Sequence, residues 1–458
     1  MLWSGRFDAA PDAATFAFGA SFQFDRRLFE DDVTGSIAWT RALAGAGVLA
    51  RDEARAIEQA LADIRQRGRD DPAFVSGPDE DVHSFVERIL VERLGDAGRR
   101  LHTGRSRNEQ VSVDLRLYLR RRIPPLQKRL GHVVAALAAR ARAADDALMP
   151  SFTHLRPAQP VLVAHFFLAH AAAMRRDHVR FASARDEADA LPLGSGAIAG
   201  TNYGIDVHSL ARELGFTRVV ANSIDASSDR DFAASFIYSC ALTMVHLSRL
   251  AEDLIIFSAD QHGFFELSDA LSTGSSMMPQ KKNPDPLELV RGKTGRAVGH
   301  LSAFLGVMKG LPSGYNKDLQ EDKAAVFDAE DTVSACLAAA ASVLEGLTLN
   351  RERAESAASG LLLATDVADY LVGRGVPFRR AHEIVGGLVR KLVAERREFA
   401  SLTAAEWRAA SDRFDADVAS RITSRASVEA KRTPQSTSPE AVAAQLADVE
   451  QWVAHTTG

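Results

Sequence analysis

Apolar and polar positions follow the helical period along most of this 458-residue chain. From Ala234 to Asp260, the positions Cys240, Leu247, Leu250, Leu254 and Phe257 recur three, four or seven residues apart, and Thr243 fills the gap in the stripe. His246, Arg249, Glu252 and Asp253 lie off it. This pattern predicts an amphipathic helix with a bundle-like seam. Its roughly 27 residues would reach about 40 Å at 1.5 Å each. Similar stretches cover 106–145, 160–190 and 284–311. No segment alternates with the period of a strand. Several long helices side by side imply a mainly α fold with an elongated bundle. Pro124-Pro125 falls inside the first of these stretches, where two missing donors and a clash with the preceding turn predict a kink or break.

Composition narrows the function classes. Apolar residues make up 46% and charged residues 25%, as in ordinary globular proteins. A net charge of −5 lacks the basic field that non-specific nucleic-acid binding needs. The two cysteines, Cys240 and Cys336, lie in apolar helical stretches and read as buried thiols of a reducing compartment. The start, Met1 to Phe7, shows no basic stretch followed by an apolar one. Val161–Met174, the most apolar stretch, contains His165 and His170 and falls short of the ~18 residues that span a bilayer. A cytoplasmic protein is expected. Polar, Gly-bearing segments near Gly95–Gly104 and Asn350–Gly360 suggest three domains, 1–104, 105–356 and 357–458. Lys431–Pro439 reads as a loop.

Four segments could carry chemistry. Thr273–Pro284 is a Gly/Ser loop with Lys281 and Lys282. Asn283 is placed to cap the next helix and Pro284 to begin it, so the loop would overlie an anion-favouring helix start. Read without context, it is equally a capped connection with solvated lysines. Leu101–Glu109 holds a second helix start, with Ser106 and Glu109 at capping-box spacing. Arg105 and Arg107 flank that positive helix end, a conflict that an anionic ligand would resolve. In Thr153–Pro160, His154 lies in a rigid polar loop and two prolines fix the approach to the next helix. Tyr315–Lys323 is dense in hydrogen-bonding groups and by itself is a polar surface turn. Gly194–Gly200 is not a dinucleotide fingerprint, since the glycine spacing differs and no strand precedes it. Phosphate-cradling, zinc-protease and serine-elbow motifs are absent from the sequence.

Taken together, these segments resemble the aspartase/fumarase superfamily. Gly274–Asn283 is similar to its G-S-S-x-M-P-x-K-x-N signature. More narrowly, Leu2–Phe7, Asp79–His83, Leu101–Asn108, Asp229–Phe232, Tyr315–Lys323 and Gly375–His382 resemble the argininosuccinate lyases, and the resemblance spans nearly the whole chain. It implies a three-domain, mainly α fold whose central long-helix bundle forms the core of a homotetramer, with each active site assembled from three subunits. It also implies β-elimination of argininosuccinate to arginine and fumarate without metal or organic cofactor. On this resemblance Ser275 is the base, as an alkoxide. Lys281 and Asn283 stabilise the doubly negative aci-carboxylate, as preorganised donors do. His154 serves as acid to the leaving guanidinium beside Thr153, and Glu288 orients His154 across subunits. Ser21, Arg107, Asn108, Tyr315, Gln320 and Lys323 bind substrate, and Asp81 meets its guanidinium end. The chain departs from the family pattern at Arg156 (Gln expected), Glu109 (Asp expected), Gln435-Ser436 (a glycine pair expected) and Pro124-Pro125. Sister lyases, and non-catalytic lens proteins of the same fold, are the alternatives.

Overall fold

The computed structural model describes residues 12–457; the Leu2–Phe7 stretch lies outside them. Its regular structure is mainly helical. Five helices are long: Arg107–Ala144, Val163–Glu187, Asp231–Ser258, Asp285–Met308 and Asp322–Glu345. The first four match the periodic stretches to within three residues at either end. Every stripe position from Cys240 to Phe257 is buried, Thr243 included, while Arg249 is exposed. The sequence marks the fifth only as an apolar helical stretch around Cys336, without bounds, because its Ala-rich composition carries little amphipathic contrast.

The chain divides into two compact units, each drawn from three stretches, and every division falls inside one of the long helices. The first unit comprises the described part of Met1–Gln127, Val179–Leu242 and Gly295–Val333. Its N-terminal helices Phe29–Gly45, Arg51–Asp70 and Val82–Leu94 bury Val33, Trp39, Leu43, Ile57, Leu61, Ile64, Val86 and Leu90. Phe85 ties this core together by packing on Phe22, Phe29 and Phe74 at 5.2–6.2 Å. A two-residue strand, Ala190–Leu191, pairs in parallel with Arg218–Val219 just before the glycine-rich 194–200 loop. The expectation that no strand precedes that loop is therefore corrected.

The second unit comprises Lys128–His178, Thr243–Thr294 and Ser334–Gly458. It holds an antiparallel hairpin, Leu148–Thr153 with Arg156–Leu162, and two shorter pairings, Phe265–Glu266 with Thr348–Leu349 and Thr273–Gly274 with Lys282–Asn283. These strands escape a pattern-based reading because they are short and three prolines break the alternation in the hairpin. Phe152 of the hairpin packs on Phe257 at 5.3 Å and on the His262 ring at 5.6 Å, which seats the hairpin on the end of helix Asp231–Ser258. Toward the C-terminus, shorter helices surround Leu371, Leu388, Phe399, Trp407 and Phe414. Gly375, at φ +83°, makes the turn that ends helix Ala364–Gly373, and Pro377 caps Phe378–Glu395. The 431–438 segment is free of regular structure, as expected.

Helix Arg107–Ala144 runs through Pro124-Pro125 without a break. Ile123 and Leu126 are fully buried, whereas Pro124 is half-buried and Pro125 is exposed. The rings thus sit toward the surface, and burial of the opposite face outweighs the lost donors. Pro125→Ala restores one N–H and removes one clash. It should raise stability by about 1–3 kcal/mol, checked by the urea midpoint at unchanged slope; a lower midpoint would show that the proline is favourable in place.

Candidate functional site

The residues expected to serve the site separate by unit. Ser21, Asp81, Arg107, Asn108, Tyr315, Gln320 and Lys323 belong to the first; Thr153, His154, Ser275, Lys281, Asn283 and Glu288 belong to the second.

In the first unit the cluster is built on two helix starts. Asp81 caps Val82–Leu94 by accepting the Ser84 N–H at 2.7 Å. The buried carboxylate of Asp25 accepts the Val82 N–H at 2.9 Å and the Ser21 hydroxyl at 2.5 Å. Ser21 also donates its backbone N–H to the Glu80 carbonyl. At the second start, Ser106 accepts from the Asn108 N–H at 3.2 Å, and Glu109 reaches back to the Ser106 N–H at 3.0 Å. The other Glu109 oxygen accepts from Gly194 and Gly196, so one buried carboxylate fastens the glycine loop to the helix start. Asn108 donates to the Ala197 carbonyl of that loop at 3.1 Å. Arg107 stands 3.8 Å from Asp81 and 3.9 Å from Glu87.

Tyr315–Lys323 is no surface turn. Lys317–Glu321 is a tight 3₁₀ turn leading into helix Asp322–Glu345, and Leu319, Asp322 and Lys323 are buried. Asp322 accepts from Arg230 at 2.7 Å and from Lys323 at 2.9 Å. Gln320 donates to the Gly19 carbonyl, and Lys317 pairs with Glu80. These contacts draw the segment against Ser21 and Glu80. A patterned reading cannot see this, since the partners lie some hundreds of residues apart in sequence.

Burial sets the electrostatics here. It pushes the Asp25 carboxyl up to about 6 and Glu109 up to about 7, against the hydrogen bonds each accepts. It raises the Tyr315 phenol and drives His102 down to about 4, with Arg105 adding to the latter. Asp322 goes the other way, because Lys323 and Arg230 together outweigh its burial. The cluster therefore gathers the cations Arg107, Lys317 and Lys323 near two helix starts, with Lys317 paired to Glu80 and Lys323 to Asp322. Among the described residues, one group has the spacing of metal ligands: Asp32, His83 and Asp114, with ligand atoms within 4.8 Å of one another. Arg105 lies close enough to act on Asp114, so this group already faces one cation. Sequence reasoning passed over Asp25, Arg230, Gln110 and this triad. Asp229–Phe232 and Asp79–His83 had been noted as stretches, but nothing in them marked which members face inward.

In the second unit, Ser275 lies in the connection between the two-residue strands Thr273–Gly274 and Lys282–Asn283. Its Oγ accepts the N–H groups of Met277 at 3.2 Å and Met278 at 3.0 Å. Two dipoles thus point at the hydroxyl oxygen, where they stabilise negative charge. Lys282 is committed to Asp269 at 2.8 Å and Glu266 at 3.2 Å. Lys281 has no carboxylate partner in the described chain; with Asn283 and Glu288 it lines a cavity of about 600 Å³. Asn283 does not cap the following helix. It sits in the strand pair, and helix Asp285–Met308 begins two residues later, with the Pro284 carbonyl accepting from Leu287 and Glu288. The ladder to Thr273 takes Asn283 away from the cap, and its amide donates to Thr273 Oγ1 at 3.4 Å.

His154 occupies a hairpin tip instead of an irregular loop. Thr153 pairs with Arg156, leaving His154 and Leu155 as a two-residue turn with φ of +54° and +56°. Such turns favour Asn-Gly. With Cβ atoms at both positions the strain is of order 1–2 kcal/mol per residue. Leu155 is 78% exposed and His154 is exposed beside it. The side chains of His154 and Glu288 make no hydrogen bond within the described chain.

Comparisons with known proteins identify the family and the fold. Residues 5–299 match a family described as Lyase, and residues 361–429 match Argininosuccinate lyase C-terminal. The argininosuccinate lyase of Moorella thermoacetica is 48% identical over 445 residues, covering 96% of this chain and 95% of that protein. That of Roseiflexus sp. strain RS-1 is 48% identical over 452 residues, covering 99% of each. A crystal structure of EDDS lyase in complex with formate superposes with a TM-score of 0.86 at 25% identity, over 98% of this chain and 93% of that one.

The raised Asp25 value has a measurable consequence. A carboxyl whose folded value lies above its ordinary 3.8 contributes stability at low pH and loses it as pH rises through about 6. Asp25→Asn lacks that titration. Between pH 4 and pH 7 the stability difference should shift in favour of the variant by about 3 kcal/mol, read from urea titrations. A difference that stays flat over that window would contradict the role assigned to burial.

Proposed function

The chain belongs to the argininosuccinate lyases of the fumarase/aspartase-type lyase superfamily, and from that premise we propose how its two residue clusters divide the work. The reaction is the reversible β-elimination of argininosuccinate to arginine and fumarate in arginine biosynthesis. A proton leaves the carbon beside a carboxylate, and the C–N bond to the guanidinium breaks. Ser275 takes the proton. The observation that carries this assignment is the pair of N–H groups aimed at its Oγ, which supports an alkoxide that an ordinary hydroxyl would not sustain. Lys281 and Asn283 hold the aci-carboxylate as its second charge develops. His154 at the strained tip, next to Thr153, returns a proton to the departing guanidinium, and Glu288 orients it. Ser21, Arg107, Asn108, Tyr315, Gln320 and Lys323 bind the substrate, and Asp81 receives its guanidinium end. No metal or organic cofactor takes part in this scheme.

The same reading makes the enzyme a cytoplasmic homotetramer with active sites shared between three subunits. Among the described residues no helix is long and apolar enough to cross a membrane. Several exposed features support association. Met277 at the Ser275 turn is 86% exposed, and Leu155 stands out beside His154. Helix Asp285–Met308 exposes Val298 and Leu305, and Gly295, Gly299 and Gly306 have open space where a Cβ would stand. Each interior glycine costs about 1 kcal/mol relative to Ala, a cost that close approach of another helix would offset. The division into 1–104, 105–356 and 357–458 remains part of the proposal, and the C-terminal family match at 361–429 supports its last boundary.

Purified protein incubated with argininosuccinate should release fumarate, followed by ultraviolet absorbance. Ser275→Ala should lower kcat by at least about 1,000-fold while argininosuccinate still binds in calorimetry; retained turnover would remove Ser275 as the base. Activity on adenylosuccinate instead of argininosuccinate would point to a sister lyase. Co-refolding inactive His154→Asn chains with inactive Ser275→Ala chains should restore turnover, since some sites then receive both intact residues. Verified mixed oligomers that stay inactive would contradict shared sites.

A further inference from the structure

Behind Arg107 lies a chain of hydrogen bonds that none of the assigned roles uses. Arg107 Nη1 donates to Gln110 Oε1 at 3.3 Å, and Gln110 Nε2 donates to Asp32 Oδ1 at 2.5 Å. The same Asp32 oxygen lies 2.7 Å from His83 Nδ1, which is 3.3 Å from Asp114 Oδ2. The side chains of Asp32, His83 and Asp114 are each 1% exposed, and Gln110 is buried. Three helices contribute: Asp32 from Phe29–Gly45, His83 from Val82–Leu94, and Gln110 and Asp114 from successive turns of Arg107–Ala144.

The chemistry of each member fits an orienting task. A guanidinium only donates and a carboxylate only accepts, so neither could be bridged by a second copy of itself. An amide accepts at one end and donates at the other, so Gln110 joins the two without adding charge. Its two partners also fix which end is oxygen. Asp32 is held in turn by His83, whose backbone lies two residues beyond Asp81 and so ties the Asp81 helix start to the Arg107 start. The titratable and charged groups facing this chain are Asp31, Glu87, His102 and Arg105. Arg105 donates to Ser36, one helical turn after Asp32, which anchors the same helix a second time.

We infer that Gln110, backed by the buried Asp32–His83–Asp114 triad, is a positioning residue that sets the orientation of the Arg107 guanidinium toward the substrate. This deepens the proposed function and rests on the reading of Arg107 as a substrate contact. A hydrogen bond to a charged group that must also meet a carboxylate in one geometry controls affinity and rate together.

The test is a double-mutant cycle on the full-length enzyme with argininosuccinate, reading kcat/KM by fumarate release. Gln110→Met keeps the side-chain volume and removes both hydrogen bonds. It should lower kcat/KM about tenfold and also lower the melting temperature, since buried Asp32 loses a donor; the cycle with Arg107 separates orientation from that stability effect. In an Arg107→Ala background the same change should cost less than about twofold, because the group it orients is gone. His83→Asn keeps a donor near the Nδ1 position and should retain activity within about threefold, whereas His83→Leu should lose about tenfold. If Gln110→Met costs the same with and without Arg107, its role is structural and the inference is overturned. It is also overturned if Arg107→Ala impairs the enzyme while Gln110→Met does not. If Arg107→Ala itself leaves kcat/KM unchanged, the substrate-binding reading fails first, and this inference with it.

Discussion

A carboxylate removed from water costs several kcal/mol unless donors or cations replace its hydration. The first unit buries an unusual number of them: Asp25, Asp31, Asp32, Glu109, Asp114, Asp322 and Glu330. Much of its local architecture is the supply of partners for these groups. Asp25 takes a helix-start N–H and the Ser21 hydroxyl; Glu109 takes three N–H groups from two segments; Asp322 takes Arg230 and Lys323. Glu330 gathers the Tyr118 hydroxyl, Arg27 and Arg122. Each acid pins segments distant in sequence, and the pinned segments carry Ser21, Asp81, Arg107, Asn108, Gln320 and Lys323. The proposed binding cluster is thus positioned by the satisfaction of buried charge.

The second unit works by a different device, strain and dipoles in place of buried charge. Its proposed base and acid both sit in connections of short β pairings, His154 at an exposed two-residue tip and half-buried Ser275 at the start of the 275–281 loop. At the Ser275 turn, consecutive N–H groups converge on one oxygen. At the His154 turn, two non-glycine residues are forced to positive φ, and the hairpin is braced from beneath by Phe152 on Phe257 and His262. Such connections keep their shape through backbone pairing, which leaves the His154 ring exposed and holds the Ser275 hydroxyl against two N–H groups. That suits groups proposed to complete their sites only in an oligomer. The two lysines of the signature loop illustrate the division of labour: Lys282 is neutralised by Asp269 and Glu266, and the neighbouring Lys281 is left to face the cavity.

Departures from the family pattern fall into place where they can be seen. Glu109, longer than the expected Asp, still satisfies the Ser106 N–H and spans to Gly194 and Gly196. Pro124-Pro125 is absorbed by a helix whose opposite face is buried. Arg156 closes the His154 turn by pairing with Thr153, a backbone task that any residue with an N–H can perform. Nothing in the structure explains why arginine stands there.

Much of this protein was determined by its sequence alone. Hydrophobic period placed four long helices because burial of one face is a local, repeating demand. The signature loop and the Thr-Gly-Arg-Ser-Arg-Asn stretch carried the family resemblance, because a long motif of fixed spacing is rarely met by chance, whereas residue types alone left the loop's chemistry open. The Ala-rich fifth helix, the four small strand pairings and the survival of the helix through two prolines were decided by tertiary packing, which periodicity does not encode. So was the identity of the inward-facing acids. Asp25 and Asp32 look in sequence like any surface carboxylate, and only the folded chain brings Val82 N–H, His83 and Gln110 to them. Partners separated by tens to hundreds of residues meet through long-range contacts, and a linear pattern holds no record of which contacts those are.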